Sequence, residues 1–247
     1  MSNSPSASSA FKPVGEPVTA SWLRIGGFDA YCALPPAGRG PGLLLLQEIF
    51  GVNAHIRRVA EQYALAGFTV LAPDLFWRQA PRVELGYVGE ERDRALALMK
   101  ALAHDDAVAD MGAAVAALRA LPACNGRVAA LGYCMGGRLA YAAATQCGVD
   151  RAVAYYGGGI ATRLDLAPAI GVPVLFHHAG HDESIPPEAV AAVRAAMAAS
   201  PAAALAEFHD YPDAKHGFNC WARAAYEPAS AALAHARSLA FLAPLFA

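Results

Sequence analysis

Apolar residues fall along this chain in two alternating textures. Short continuous runs, Leu43 to Leu46, Phe68 to Ala72, Val128 to Leu131, Ala152 to Tyr156, Val174 to Phe176 and Leu205 to Tyr211, read as strands. Most show no polar alternation, as expected where both faces of a sheet are covered. Between them lie segments of helical period: Ala54 to Ala66, Glu90 to Leu121, Gly136 to Gln146, Pro187 to Ala199 and Ser230 to Phe241. Gly67 follows the first of these where a C-terminal cap belongs. Ahead of them, Val18 to Ile25 and Phe28 to Leu34 flank Gly26-Gly27, which predicts a hairpin with a two-residue turn. The alternation predicts an α/β fold: a doubly wound, mostly parallel sheet with an N-terminal antiparallel hairpin and helices on both faces.

Composition narrows the class. At 247 residues, with 56% hydrophobic and 16% charged positions, the chain can bury one large core. A single domain over residues 17–247 is expected, preceded by a flexible tail over residues 1–16 whose opening MSNSPSASSA lacks the positive start and apolar middle of a secretory signal. A net charge of -2 and the absence of a basic run argue against nucleic acid or an anionic membrane as partner. The long alanine-rich segments are interrupted by Arg, Asp or His, so no membrane span is expected. A cytoplasmic protein acting on a small molecule, monomeric or weakly dimeric, fits these bounds.

Five cysteines form no CxxC pair and no framework of bridges, so most are expected to be buried apolar residues. His177, His178 and His181 beside Asp182 do not predict a metal site, because neighbours on a strand point to opposite faces. Neither metal nor organic cofactor is expected.

One cysteine stands apart. In Gly132-Tyr133-Cys134-Met135-Gly136-Gly137, an apolar run meets a helical pattern, and glycines two before and two after Cys134 permit a sharp strand-to-helix turn. A thiol so placed needs a base and a group to orient that base. Asp182, in the segment after the strand near His177, and His216, after Glu207 to Tyr211, follow in the order nucleophile, acid, histidine that α/β-hydrolases use. His216 would take the Cys134 proton and later protonate the leaving oxygen, while Asp182 fixes its tautomer. The N–H of Met135, with a second from the loop around Ile49, would face an oxyanion. Glu48 follows a buried strand directly, where a carboxylate is costly without a partner or task. It is a candidate for controlling the thiol proton. The segment Asp74 to Gly89, rich in Pro, Gly, Arg and aromatics, is a candidate wall of the site.

The motifs QEIFGVN at Gln47 to Asn53, APDLF near Pro73, GYCMGG around Cys134, RAVAYYGGG at Arg151 to Gly159 and SLAFLAPL at Ser238 to Leu245 resemble those of the dienelactone hydrolase family, cysteine enzymes with the α/β-hydrolase fold. The resemblance implies Cys134 as nucleophile, Asp182 and His216 as its partners, Glu48 as governor of thiol activation when substrate binds, and an oxyanion hole from Ile49 and Met135. It implies opening of a carboxylated lactone, as of dienelactone to maleylacetate, through a thioester. It further implies two arginines on the substrate carboxylate. The first matches Arg94, with Arg92 close by; the second belongs four residues after His216, where this chain has Cys220, with Arg223 three residues farther on. Phe50 and Tyr156 complete the candidate substrate contacts. A broader carboxylesterase or thioesterase, and a non-catalytic thiol sensor or ligand-binding protein, are the rival readings.

Overall fold

Gly26 and Gly27 join β1 (Thr19–Ile25) to β2 (Phe28–Leu34) in an antiparallel pair whose register begins at Ile25 opposite Phe28, the hairpin that the flanking apolar runs predict. The computed structural model describes residues 18–247, so the tail expected over residues 1–16 lies outside the described residues. β3 (Gly40–Leu46), β4 (Thr69–Pro73), β5 (Cys124–Tyr133), β6 (Arg151–Tyr155), β7 (Val174–His181) and β8 (Ala206–Lys215) complete an eight-stranded sheet. Its order is β1-β2-β4-β3-β5-β6-β7-β8, and it is parallel from β4 to β8. This is the α/β-hydrolase architecture expected from the sequence.

Successive side chains of the central strands serve two cores, as a period of two requires. Leu44 and Leu46 pack with Met111 and Leu118 of α3 (His104–Ala120) and Leu139 of α4 (Met135–Gln146). Leu43 and Leu45 pack with Val59 and Tyr63 of α1 (Ala54–Leu65) and Leu242 of α6 (Pro228–Leu242). Every residue of β3 is buried, so an alternating pattern had no reason to arise there. α5 (Pro187–Ala198) covers the β7 end, with Val193 and Met197 against Phe176.

Two expectations change. The pattern Glu90 to Leu121 is not one helix: α2 (Gly89–Ala101) and α3 are separated by Leu102 and Ala103 in extended conformation. No Gly or Pro marks the break; the change of direction frees α2 to border the site while α3 stays on the sheet. The closing segment Pro228–Phe246, 19 residues with a mean hydropathy of 1.2, is long and apolar enough by composition to cross a membrane. Here it lays Ala231, Ala234, Ser238 and Leu242 against the sheet.

Candidate active site

The thiol stands where β5 ends and α4 begins. Cys134 has φ 55° and ψ -114°, a region that a non-glycine residue enters only when its surroundings hold it there. What holds it is backbone packing at close quarters. A Cβ at Gly132 would strike the Gly136 carbonyl, one at Gly136 the Leu46 carbonyl of β3, and one at Gly137 would come within 2.6 Å of the Tyr155 oxygen at the end of β6. The Cys134 N–H donates to that same Tyr155 carbonyl at 3.0 Å, and the Cys134 carbonyl accepts the first N–H groups of α4, from Gly137 and Arg138. The glycines that make the turn legible in sequence therefore let α4 start wedged between two strands.

Cys134 faces a cavity of 290 Å³ that also receives His216, Ile49, Met135 and Phe50. His216, just past β8, brings Nδ1 to 2.9 Å from Asp182 Oδ2. Asp182, just past β7, is itself fixed: its Oδ1 accepts the N–H groups of Ser184 at 2.8 Å and Ile185 at 3.0 Å. Burial opposes charging of His216, but hydrogen bonding to Asp182 and the neighbouring Cys134 sulfur outweigh it and lift the imidazolium to about 10. No hydrogen-bond acceptor among the described residues engages the N–H of Ile49 or Met135. Two free N–H groups beside a thiol at a helix N-terminus can hold an oxyanion.

Glu48 lies behind this constellation, with only 2% of its side chain exposed. Its Oε1 accepts from Arg223 Nη1 at 3.1 Å. Burial raises the carboxyl above its ordinary range, against the pull of the Arg223 and His216 charges. Arg223 thus turns into the cavity, crossing Gly217, where a Cβ would collide with its guanidinium, and lying 5.8 Å from the ring centroids of Phe50 and Tyr87. Cys220 is buried, its Sγ 3.6 Å from the Tyr87 hydroxyl, and burial pushes its thiol up to about 12.

Three sequence-derived assignments are corrected. Arg94 is exposed on α2 and does not line the cavity; Arg92 does, together with Leu96 and Met99. Spacings of four and seven residues put these three on one helical face, and a residue two positions from Arg92 points away from it. Tyr156 is fully buried beneath the site, its ring 5.1 Å from that of His216, and does not border the cavity. The segment Asp74 to Gly89 is not the wall: it braces the Phe50 loop, through Leu85 N–H to the Phe50 carbonyl at 3.0 Å and Tyr87 against the Phe50 ring at 4.6 Å. Sequence reasoning also missed Arg138 and Ser184 as cavity residues. A signal for Arg138 existed, since it lies one helical turn beyond Cys134.

The family model described as the dienelactone hydrolase family matches residues 28–246. A carboxymethylenebutenolidase of Pseudomonas sp. strain P51 is 39% identical over 218 residues, covering 88% of this chain and 90% of that protein. Carboxymethylenebutenolidase 1 of Cupriavidus pinatubonensis is 38% identical over 224 residues, covering 90% and 94%. Among solved structures, a Klebsiella pneumoniae protein provisionally assigned as a dienelactone hydrolase superposes with a TM-score of 0.81 at 29% identity, over 92% of this chain and 98% of that one.

Proposed function

The chain belongs to the dienelactone hydrolase family, and from that premise we propose that it is a cysteine hydrolase that opens a carboxylated lactone, dienelactone or a close analogue, through a thioester on Cys134. The observation that carries this reading is the meeting of a strained thiol elbow and the Asp182-bonded His216 in one cavity. The Cys134 sulfur, as thiolate beside the His216 imidazolium, attacks the lactone carbonyl carbon. The resulting oxyanion accepts from the N–H groups of Ile49 and Met135. Collapse breaks the ring C–O bond, and His216 gives its proton to the departing oxygen. Water then attacks the thioester with His216 taking one of its protons, the C–S bond breaks to restore the thiolate, and the new carboxylic acid releases its remaining proton to solvent and leaves as a carboxylate.

Arg223 and Arg92 are the substrate's carboxylate anchors in this reading. A substrate carboxylate arriving at Arg223 competes with Glu48 for it, which couples binding to the freeing of a buried base near the thiol. Mass spectrometry of the protein quenched during turnover tests the mechanism: the expected result is an adduct of substrate mass on the peptide containing Cys134, absent from Cys134→Ala. Full turnover by Cys134→Ala would overturn it.

A further inference from the structure

A second hollow adjoins the cavity that holds the thiol. Among the described residues Arg138 is the one that borders both the 290 Å³ cavity and a hollow of 160 Å³ lined also by Leu102, His104, Thr162 and Arg163. Arg92, Ser184, His216 and Arg223 are shared between the cavity and another hollow, of 370 Å³. Guanidiniums therefore border the cavity that holds Cys134 where each of the two hollows adjoins it.

At the Arg138 end the guanidinium is held in place and has no carboxylate partner among the described residues. The Arg138 side chain runs across Gly159, whose φ of 88° and missing side chain are both needed: a Cβ there would lie 2.9 Å from Nη1 and 3.2 Å from Cδ. Thr162 Oγ1 donates to the Gly159 carbonyl at 2.8 Å and fixes this turn. Among the described residues Arg163 has only a 3.7 Å approach of Nε to the exposed Asp165, and Arg138 has no carboxylate within ion-pair distance. His104 Nε2 is buried without a hydrogen-bond partner. Burial first, then the charges of Arg163 and Arg138, keep that imidazole from charging, and a neutral imidazole can donate from Nε2. Two half-buried guanidiniums and an unpaired imidazole Nε2 border one hollow whose lining residues include no carboxylate.

We propose that this hollow is a second anion subsite, and that the preferred substrate carries two acidic groups, one held by Arg92 and Arg223 and the other by Arg138 and Arg163. The proposal rests on the lactone-hydrolase reading for the identity of the scissile bond, but the subsite itself rests on the hollow and its cations.

The test compares a lactone bearing one carboxylate with the same lactone bearing a second, in wild type, Arg138→Leu and Arg163→Leu. The expected result is a wild-type preference for the dicarboxylate in kcat/KM that falls about tenfold or more in each variant, the loss of one charge-assisted contact. An unchanged preference in both variants overturns the subsite while leaving the lactone reading intact. In parallel, a saturated dicarboxylate of matching length is titrated calorimetrically into Cys134→Ala and into Cys134→Ala with Arg138→Leu. Binding lost with Arg138 supports the subsite even where neither lactone is hydrolysed, an outcome that would sink the lactone reading alone; equal binding to both proteins overturns the subsite.

Discussion

Arg223 Nη1 lies 3.1 Å from Glu48 Oε1, and each residue reaches the other from a loop at the carboxyl end of a different strand, Glu48 just past β3 and Arg223 beyond β8. The carboxylate is the deeper of the two, 2% exposed against 23% for the arginine. Desolvation therefore weighs mostly on Glu48, and the guanidinium keeps a face toward the cavity. Cys220, four residues after His216, is fully buried.

Arg223→Met should lower kcat/KM on a carboxylated lactone by about tenfold to a hundredfold, the loss of a charge-assisted hydrogen bond, and much less on a neutral short ester. Steady-state kinetics on the two substrates decides it. Equal losses on both would mean that Arg223 supports the loop or Glu48 without anchoring substrate.

Arg92→Leu should raise KM for the carboxylated lactone by about tenfold, while Arg94→Leu should leave it within about twofold, since only Arg92 lines the cavity. The reverse order of effects would return the anchor to Arg94 and mean that α2 is rotated when substrate is bound.

His216 should stay protonated well past its ordinary 6.5, to about 10. A histidine with a raised folded pKa stabilises the fold fully below pH 6.5, and that contribution disappears as pH rises through about 10. NMR titration of the His216 ring reads the midpoint directly. Asp182→Asn and Cys134→Ala should each move it back toward 6.5; a wild-type midpoint already there would mean that neither neighbour holds the proton on the ring.

Ser238→Ala should destabilise the protein by about 1–3 kcal/mol, because it removes one hydroxyl that two buried groups share. Ser238 Oγ is 2.7 Å from the Tyr155 hydroxyl and 3.0 Å from His177 Nε2, and His177 Nδ1 meets the Tyr211 hydroxyl at 2.8 Å. Denaturant unfolding measures the loss. A neutral effect would mean that water replaces the hydroxyl without penalty.

Much of this arrangement was legible in the sequence because local physics wrote it there. Continuous apolar runs marked strands buried on both faces, and the elbow glycines marked a turn that no side chain could enter. The α2–α3 break was not legible, since Leu102 and Ala103 carry no backbone signal and the bend answers to tertiary packing. The resemblance points to Arg94 with Arg92 close by, and because α2 is charged around much of its circumference its polar pattern does not say which of the two faces the cleft. Arg223 could be suspected but not placed: nothing in the spacing from His216 says that Gly217 clears its path.

Gly217 joins two tasks in one peptide. It follows His216 directly, and its bare Cα gives passage to Arg223. A mutation there aimed at retargeting the cleft would shift the base along with the anchor. For anyone building variant libraries of this hydrolase, selection for substrate choice and selection for turnover become one selection at position 217.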